Sequence, residues 1–230
     1  LTLNGSAAIV GSNLRLTNGK GFEAGSAFAT NPEPITRFTN DFTFLLHDGT
    51  KPPADGVTFT WQGVGPTALG GTGGGLGYSP DPVFGGPAIG QSVAIKFDLF
   101  NNAGEGGDST GLYTKGAFPT VPAIDLSKTG VNLYGDTDHV SMNYDGSVLG
   151  VTINDLVTGQ SANQLYLIDI PAFVGGPTAF VGFTGGTGAL SAVQDVQTWT
   201  YTPVPEPCSL TLLGFGGLPL LGFLRRRRSA

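Results

Sequence analysis

The acidic residues are scattered and mostly lie near turns, as do Asp48, Asp55, Asp81, Asp108, Asp136 and Asp145. Turn carboxylates like these keep a surface soluble, or gather with carbonyl and amide oxygens around a hard cation. Lys96 and Asp98 lie two positions apart in an alternating run. Strand geometry puts them on one face, where an ammonium and a carboxylate can pair. Glycines 73, 74, 75 and 77 expose backbone that no side chain shields, and so permit close approach of another group. His47 and His139 read as strand-end surface residues rather than metal ligands. No nucleophile elbow, phosphate-binding glycine loop or His-Glu-x-x-His motif occurs.

The segments that must position these residues are short and apolar. Residues 42–46 end at Asp48-Gly49, 57–61 alternate with period two, and 92–100 place Val93, Ile95, Phe97 and Leu99 on one side. The other side of that run carries Ala94, Lys96, Asp98 and Phe100. Residues 139–144 and 148–153 flank Asp145-Gly146, a hairpin signal. Further strands are expected at 165–170, 179–183 and 193–201, and no stretch shows an amphipathic helical period. About eleven strands with long glycine-rich loops imply two packed antiparallel sheets.

Composition agrees. With 38 glycines and 16 prolines in 230 residues, the chain cannot be a helical bundle, and it lacks the three-residue period of collagen. Only 12% of residues are charged, which argues against a disordered chain, and the single Cys208 excludes a disulfide scaffold. Residues 1–203 hold 7 Lys/Arg against 16 Asp/Glu, a net charge of −9. Nucleic acid is therefore not an expected partner.

Residues 203–230 read as a separate tail. The proline-rich 203–207 act as a linker, and 208–224 carry no charge over a length at the short edge of a membrane-spanning helix. Arg225, Arg226, Arg227 and Arg228 would hold the far end on the cytoplasmic side. The tail resembles the PEP-CTERM sorting signal of Gram-negative bacteria, with Val204-Pro205-Glu206-Pro207 as the motif, then the hydrophobic helix, then the arginines. The resemblance implies recognition by an exosortase, transient anchoring in the inner membrane, and export to the cell surface or extracellular matrix. A plain membrane anchor is the alternative. A signal peptide is expected to have been removed or to lie outside this sequence, which opens LTLNGSAAIV.

Residues 1–202 resemble an L-type (legume-type) lectin domain, the concanavalin A-like all-β jelly-roll sandwich. Four motifs in family order carry the likeness: Ala54-Asp55-Gly56-Val57-Thr58-Phe59; Gly73-Gly74-Gly75-Leu76-Gly77-Tyr78; the run 93–102, VAIKFDLFNN; and 181–188, VGFTGGTG, with Trp199-Thr200-Tyr201. The resemblance implies sugar binding. A sugar ring needs a carboxylate acceptor, an amide that both gives and takes, a backbone N–H and a flat apolar platform. By motif position these are Asp55, Asn102, Gly74 or Gly75, and Phe100, with Tyr78 a weaker platform and Gly188 and Ala189 in the closing loop. The family's Ala-Asp peptide is cis, so Ala54-Asp55 is expected to be.

The resemblance also implies calcium, held by Asp98, the Phe100 carbonyl, Asn102 and Asp108, with Glu105 competing for the last place. It places a glutamate and a histidine of a second, transition-metal site at Lys96 and Ser109, so no Mn²⁺ is expected. The Lys96 ammonium could instead stand in for the calcium by pairing with Asp98. The expected function is a non-catalytic binder of a glycan or exopolysaccharide. A matrix protein that has lost sugar binding is the second reading. A glycoside hydrolase on the same sandwich is the third, although the paired carboxylates such enzymes place on one strand are missing around Asp98.

Overall fold

The computed structural model describes residues 1–205. Glu206, Pro207, the expected helix at 208–224 and Arg225 to Arg228 lie outside the described residues. Fifteen strands are present among those described. In chain order they are β1 Thr2–Gly5, β2 Ala8–Val10, β3 Asn13–Asn18, β4 Ala24–Phe28, β5 Glu33–Pro34, β6 Phe38–His47, β7 Gly56–Gln62 and β8 Ser92–Asp98. There follow β9 Ser109–Thr114, β10 Ile124–Asp125, β11 Thr137–Tyr144, β12 Val148–Asp155, β13 Ser161–Leu167, β14 Thr178–Gly186 and β15 Val193–Pro203. One sheet runs β1-β4-β14-β7-β8-β9-β10, with β5 beside β14, and the other runs β13-β12-β11-β6-β15-β3-β2. All ladder pairings between these strands are antiparallel, so the expected all-β sandwich is what the chain forms.

The period-two pattern of β6 turns Phe38, Asn40, Phe42, Phe44 and Leu46 inward. Phe42 meets Phe183 of β14 edge-on at 5.0 Å and stacks on Phe59 of β7 at 5.7 Å, while Trp199 of β15 closes the cluster against Phe183 at 5.2 Å. Offset and edge-on pairs of this kind add about 0.5–1.5 kcal/mol each beyond the area they bury. β7 and β8 are buried along their whole length. Their inner residues face the aromatic core, and their outer residues lie under loops, where Ala94, Tyr78, Ile89, Tyr113, Phe28 and Ala68 form a second apolar cluster. Thr58 Oγ1 lies 2.7 Å from both Thr60 Oγ1 and Thr184 Oγ1 on that outer face, which satisfies buried hydroxyls beneath the loop layer.

Two expected features differ. The strand at 165–170 is instead β13, which ends at Leu167, and Ile170–Val174 form a short helix, α1. Asp169 caps it by accepting from the Ala172 N–H at 3.1 Å, with Pro171 in its first turn. Tyr78 is wholly buried, its hydroxyl 2.8 Å from Ser92 Oγ and accepting from the Gly116 N–H at 3.0 Å, so it is a core residue and no sugar platform.

Candidate carbohydrate-binding site

Loops from four parts of the chain converge outside one end of the eight-stranded sheet. They enclose a cavity of about 250 Å³ lined by Ala54, Asp55, Gly74, Asp81, Val83, Phe84, Phe100, Asn102, Gly188, Ala189 and Leu190. Asp55, Gly74, Phe100, Asn102, Gly188 and Ala189, expected on sequence grounds to bind sugar, thus share one wall-to-wall space. Gly75 is outside it, and its N–H is donated to the Thr72 carbonyl at 3.1 Å.

Asp55 enters β7 through a cis peptide with Ala54. Its backbone is held on both sides: its N–H donates to the Gly186 carbonyl at 3.2 Å, and its carbonyl accepts from the Leu99 N–H at 2.7 Å. Asp55 is 5% exposed, and its Oδ2 has no hydrogen-bond partner among the described residues. Burial, then the charge of Asp98, pushes this carboxyl up to about 7, against the backbone N–H of Gly188. An acceptor left bare at the floor of a cavity is suited to a hydroxyl donor from outside the chain.

The glycines make the space. A Cβ on Gly188 would lie 3.1 Å from the Phe84 ring and 3.4 Å from Asp55 Oδ2. One on Gly74 would sit 3.0 Å from both Nδ2 and Oδ1 of Asn102 and 3.1 Å from the Phe118 ring. Asn102 is exposed, and its amide stands beside Gly74.

Sequence reasoning missed the wall formed by Asp81, Val83 and Phe84. Asp81 Oδ1 accepts the N–H groups of Val83 (2.7 Å) and Phe84 (2.9 Å), and its backbone bridges Gly85. That tight turn presents Phe84, which packs edge-on against Phe22 at 5.1 Å. An Asp-Pro pair three residues before a phenylalanine was the available signal, and only the fold shows where it points.

Two carboxylates expected to compete for calcium, Asp98 and Glu105, face the Lys96 ammonium instead. Asp98 is wholly buried, its Oδ2 3.0 Å from Lys96 Nζ and its Oδ1 accepting the Phe100 N–H at 3.1 Å. Glu105, the competing ligand, is also buried, its Oε1 3.8 Å from the same ammonium. Asp108 is partly buried, and its backbone carbonyl accepts from the Leu126 N–H at 2.8 Å. Among the described residues, no three His, Cys, Asp or Glu side chains are grouped to hold an ion. Calcium wants six to eight oxygens. Here an ammonium already uses one Asp98 oxygen and a backbone donor uses the other, so the donor set does not fit a divalent cation. His47 bridges Asp48 (2.9 Å) and Asp195 (3.4 Å), and His139 faces Asp41 (3.5 Å); neither histidine lines the cavity.

Solved structures share this sandwich. The chain is similar to a Bauhinia forficata lectin in complex with GalNAc (20% identity, 87% of this chain and 91% of that one, TM-score 0.71). It is also similar to the metal-free form of lectin I-B4 from Griffonia simplicifolia (20%, 87% and 91%, 0.71). The fold is that of the legume lectins. Arcelin-5, a lectin-like defense protein from Phaseolus vulgaris, shares it at 20% identity over 87% of this chain and 90% of its own, with a TM-score of 0.70. No protein-family model matches the sequence.

Proposed function

We propose that this legume-lectin fold serves as a non-catalytic carbohydrate-binding protein, exported to the cell surface or an extracellular polysaccharide matrix and sorted through its C-terminal tail by an exosortase. The observation that carries the binding reading is the shared cavity: Asp55, Gly74, Phe100, Asn102 and Gly188 come from segments up to about 130 residues apart and meet around one unpartnered acceptor. The lining supplies the acceptor (Asp55), the two-way amide (Asn102), a bare backbone wall (Gly74, Gly188) and apolar faces (Phe100, Phe84) that a sugar ring requires. Its two acidic side chains and lack of any cationic one favour a neutral glycan over a uronate or sulfated sugar. The Bauhinia forficata lectin was solved with GalNAc, which agrees with this class of ligand.

A glycan array probed with the intact protein tests the proposal. Binding to neutral glycans that is lost in Asp55→Ala and Asn102→Ala supports it. No binding to any glycan would leave the matrix-protein reading. Release of reducing sugar from a bound polysaccharide would establish the hydrolase reading instead.

A further inference from the structure

We infer that the Lys96 ammonium is a built-in cation that positions the binding loop, so the site is assembled without any metal. This deepens the sugar-binding reading, because the loop in question carries Phe100 and Asn102. Lys96 Nζ is wholly buried and its three protons have three directions to go. One meets Asp98 Oδ2 at 3.0 Å and one the Thr120 carbonyl at 3.1 Å, while the remaining side faces Glu105 Oε1 at 3.8 Å and the Tyr113 ring at 5.6 Å. Each carboxylate passes the hold onward. Asp98 Oδ1 accepts from the Phe100 N–H, and Glu105 Oε2 accepts from the Ala103 N–H. The ammonium therefore clamps the loop on both sides of Asn102. Through Thr120 it also fixes the neighbouring loop, whose Phe118 ring stands against Gly74. Two buried carboxylates drawn to one centre are what a structural cation would otherwise provide, and a lysine on β8 supplies the charge covalently. Lys96 is thus a positioning residue. It does not line the cavity.

Thermal unfolding and calorimetric titration with Ca²⁺ test this without any glycan, so a failure of sugar binding and a failure of this inference are distinguishable. For the intact protein the expected result is no heat of Ca²⁺ binding, a Tm within about 1 °C with millimolar Ca²⁺ or with chelator, and, where a glycan binds, unchanged affinity in chelator. A chelator-induced fall in Tm that Ca²⁺ reverses, with one-to-one binding by calorimetry, would overturn the inference. Lys96→Met should lower Tm by about 10 °C by leaving both carboxylates uncompensated. Lys96→Glu, which removes the ammonium and adds an oxygen donor, should gain a Ca²⁺-dependent rise in Tm of about 5 °C or more. A folded Lys96→Glu protein indifferent to Ca²⁺ would contradict the claim that the ammonium occupies a cation's place. Should Lys96→Glu fail to fold, the response of the intact protein decides alone.

Discussion

The protonation of Asp55 should govern sugar affinity. Its carboxyl titrates at about 7 because it is buried and lies near Asp98. Only the ionised form leaves both oxygens as acceptors. If that form alone binds, the apparent Kd scales as one plus the proton occupancy ratio. Moving from pH 8 to pH 5 then weakens binding about 90-fold, which follows from about 1.36 kcal/mol for each pKa unit below 7. The loss cannot be ascribed to unfolding at pH 5, because the linkage runs the other way. A carboxyl raised from 3.8 contributes stability that is present below 3.8 and is lost as pH rises through about 7, so lowering pH to 5 strengthens this part of the fold. Calorimetric titration of an array-selected glycan at pH 5, 6, 7 and 8, with Tm recorded alongside, is the assay. Asp55→Asn should bind weakly and with no such slope. An affinity flat across pH 5–8 in the intact protein would refute the role given to Asp55.

Other outcomes follow from the same geometry. Gly188→Ala should weaken binding at least tenfold by placing a methyl between Phe84 and Asp55, with Tm changed by no more than about 3 °C; equilibrium titration and scanning calorimetry check both. Phe84→Ala should also lose affinity with little loss of stability, because the residue is 45% exposed. Asp138 is wholly buried opposite Asp155, neither oxygen has a partner, and burial with the charge of Asp155 pushes it up to about 8. Its contribution to stability is lost as pH rises from 3.8 through 8, by an upper bound of about 6 kcal/mol. Asp138→Asn should therefore be more stable than the parent at pH 9 in denaturant melts, and an equal or lower stability there would count against it.

Much of the sandwich was legible because β6, β7, β8, β11 and β12 carry strong local patterns, and Asp145-Gly146 marks the hairpin through the N–H groups that Asp145 Oδ1 accepts from Ser147 and Val148. The N-terminal strands were not. β4, Ala24–Phe28, buries four of five residues yet reads as small and patternless; it is defined by its distant partner, with Gly182 facing Phe28. Likewise Asp169 and Pro171 announced α1, but the apolar run at 165–170 outweighed them. At the site, Asp55, Gly74, Phe100 and Asn102 could be found from motif order, since each sits at a fixed offset from a recognisable strand. The Asp81–Phe84 wall belongs to a loop whose direction only tertiary packing sets. Glu105 joined Lys96 instead of Asp108 for a similar reason: the path of the loop from 99 to 108 decides which carboxylate is buried.

The most direct test of the account is a crystal structure of the protein with a neutral glycan selected on the array. The account predicts one sugar ring in the cavity lined by Phe84 and Phe100, with a hydroxyl within hydrogen-bond distance of Asp55 Oδ2 and another on the Asn102 amide. A sugar seated elsewhere on the sandwich, with this cavity empty, would contradict it.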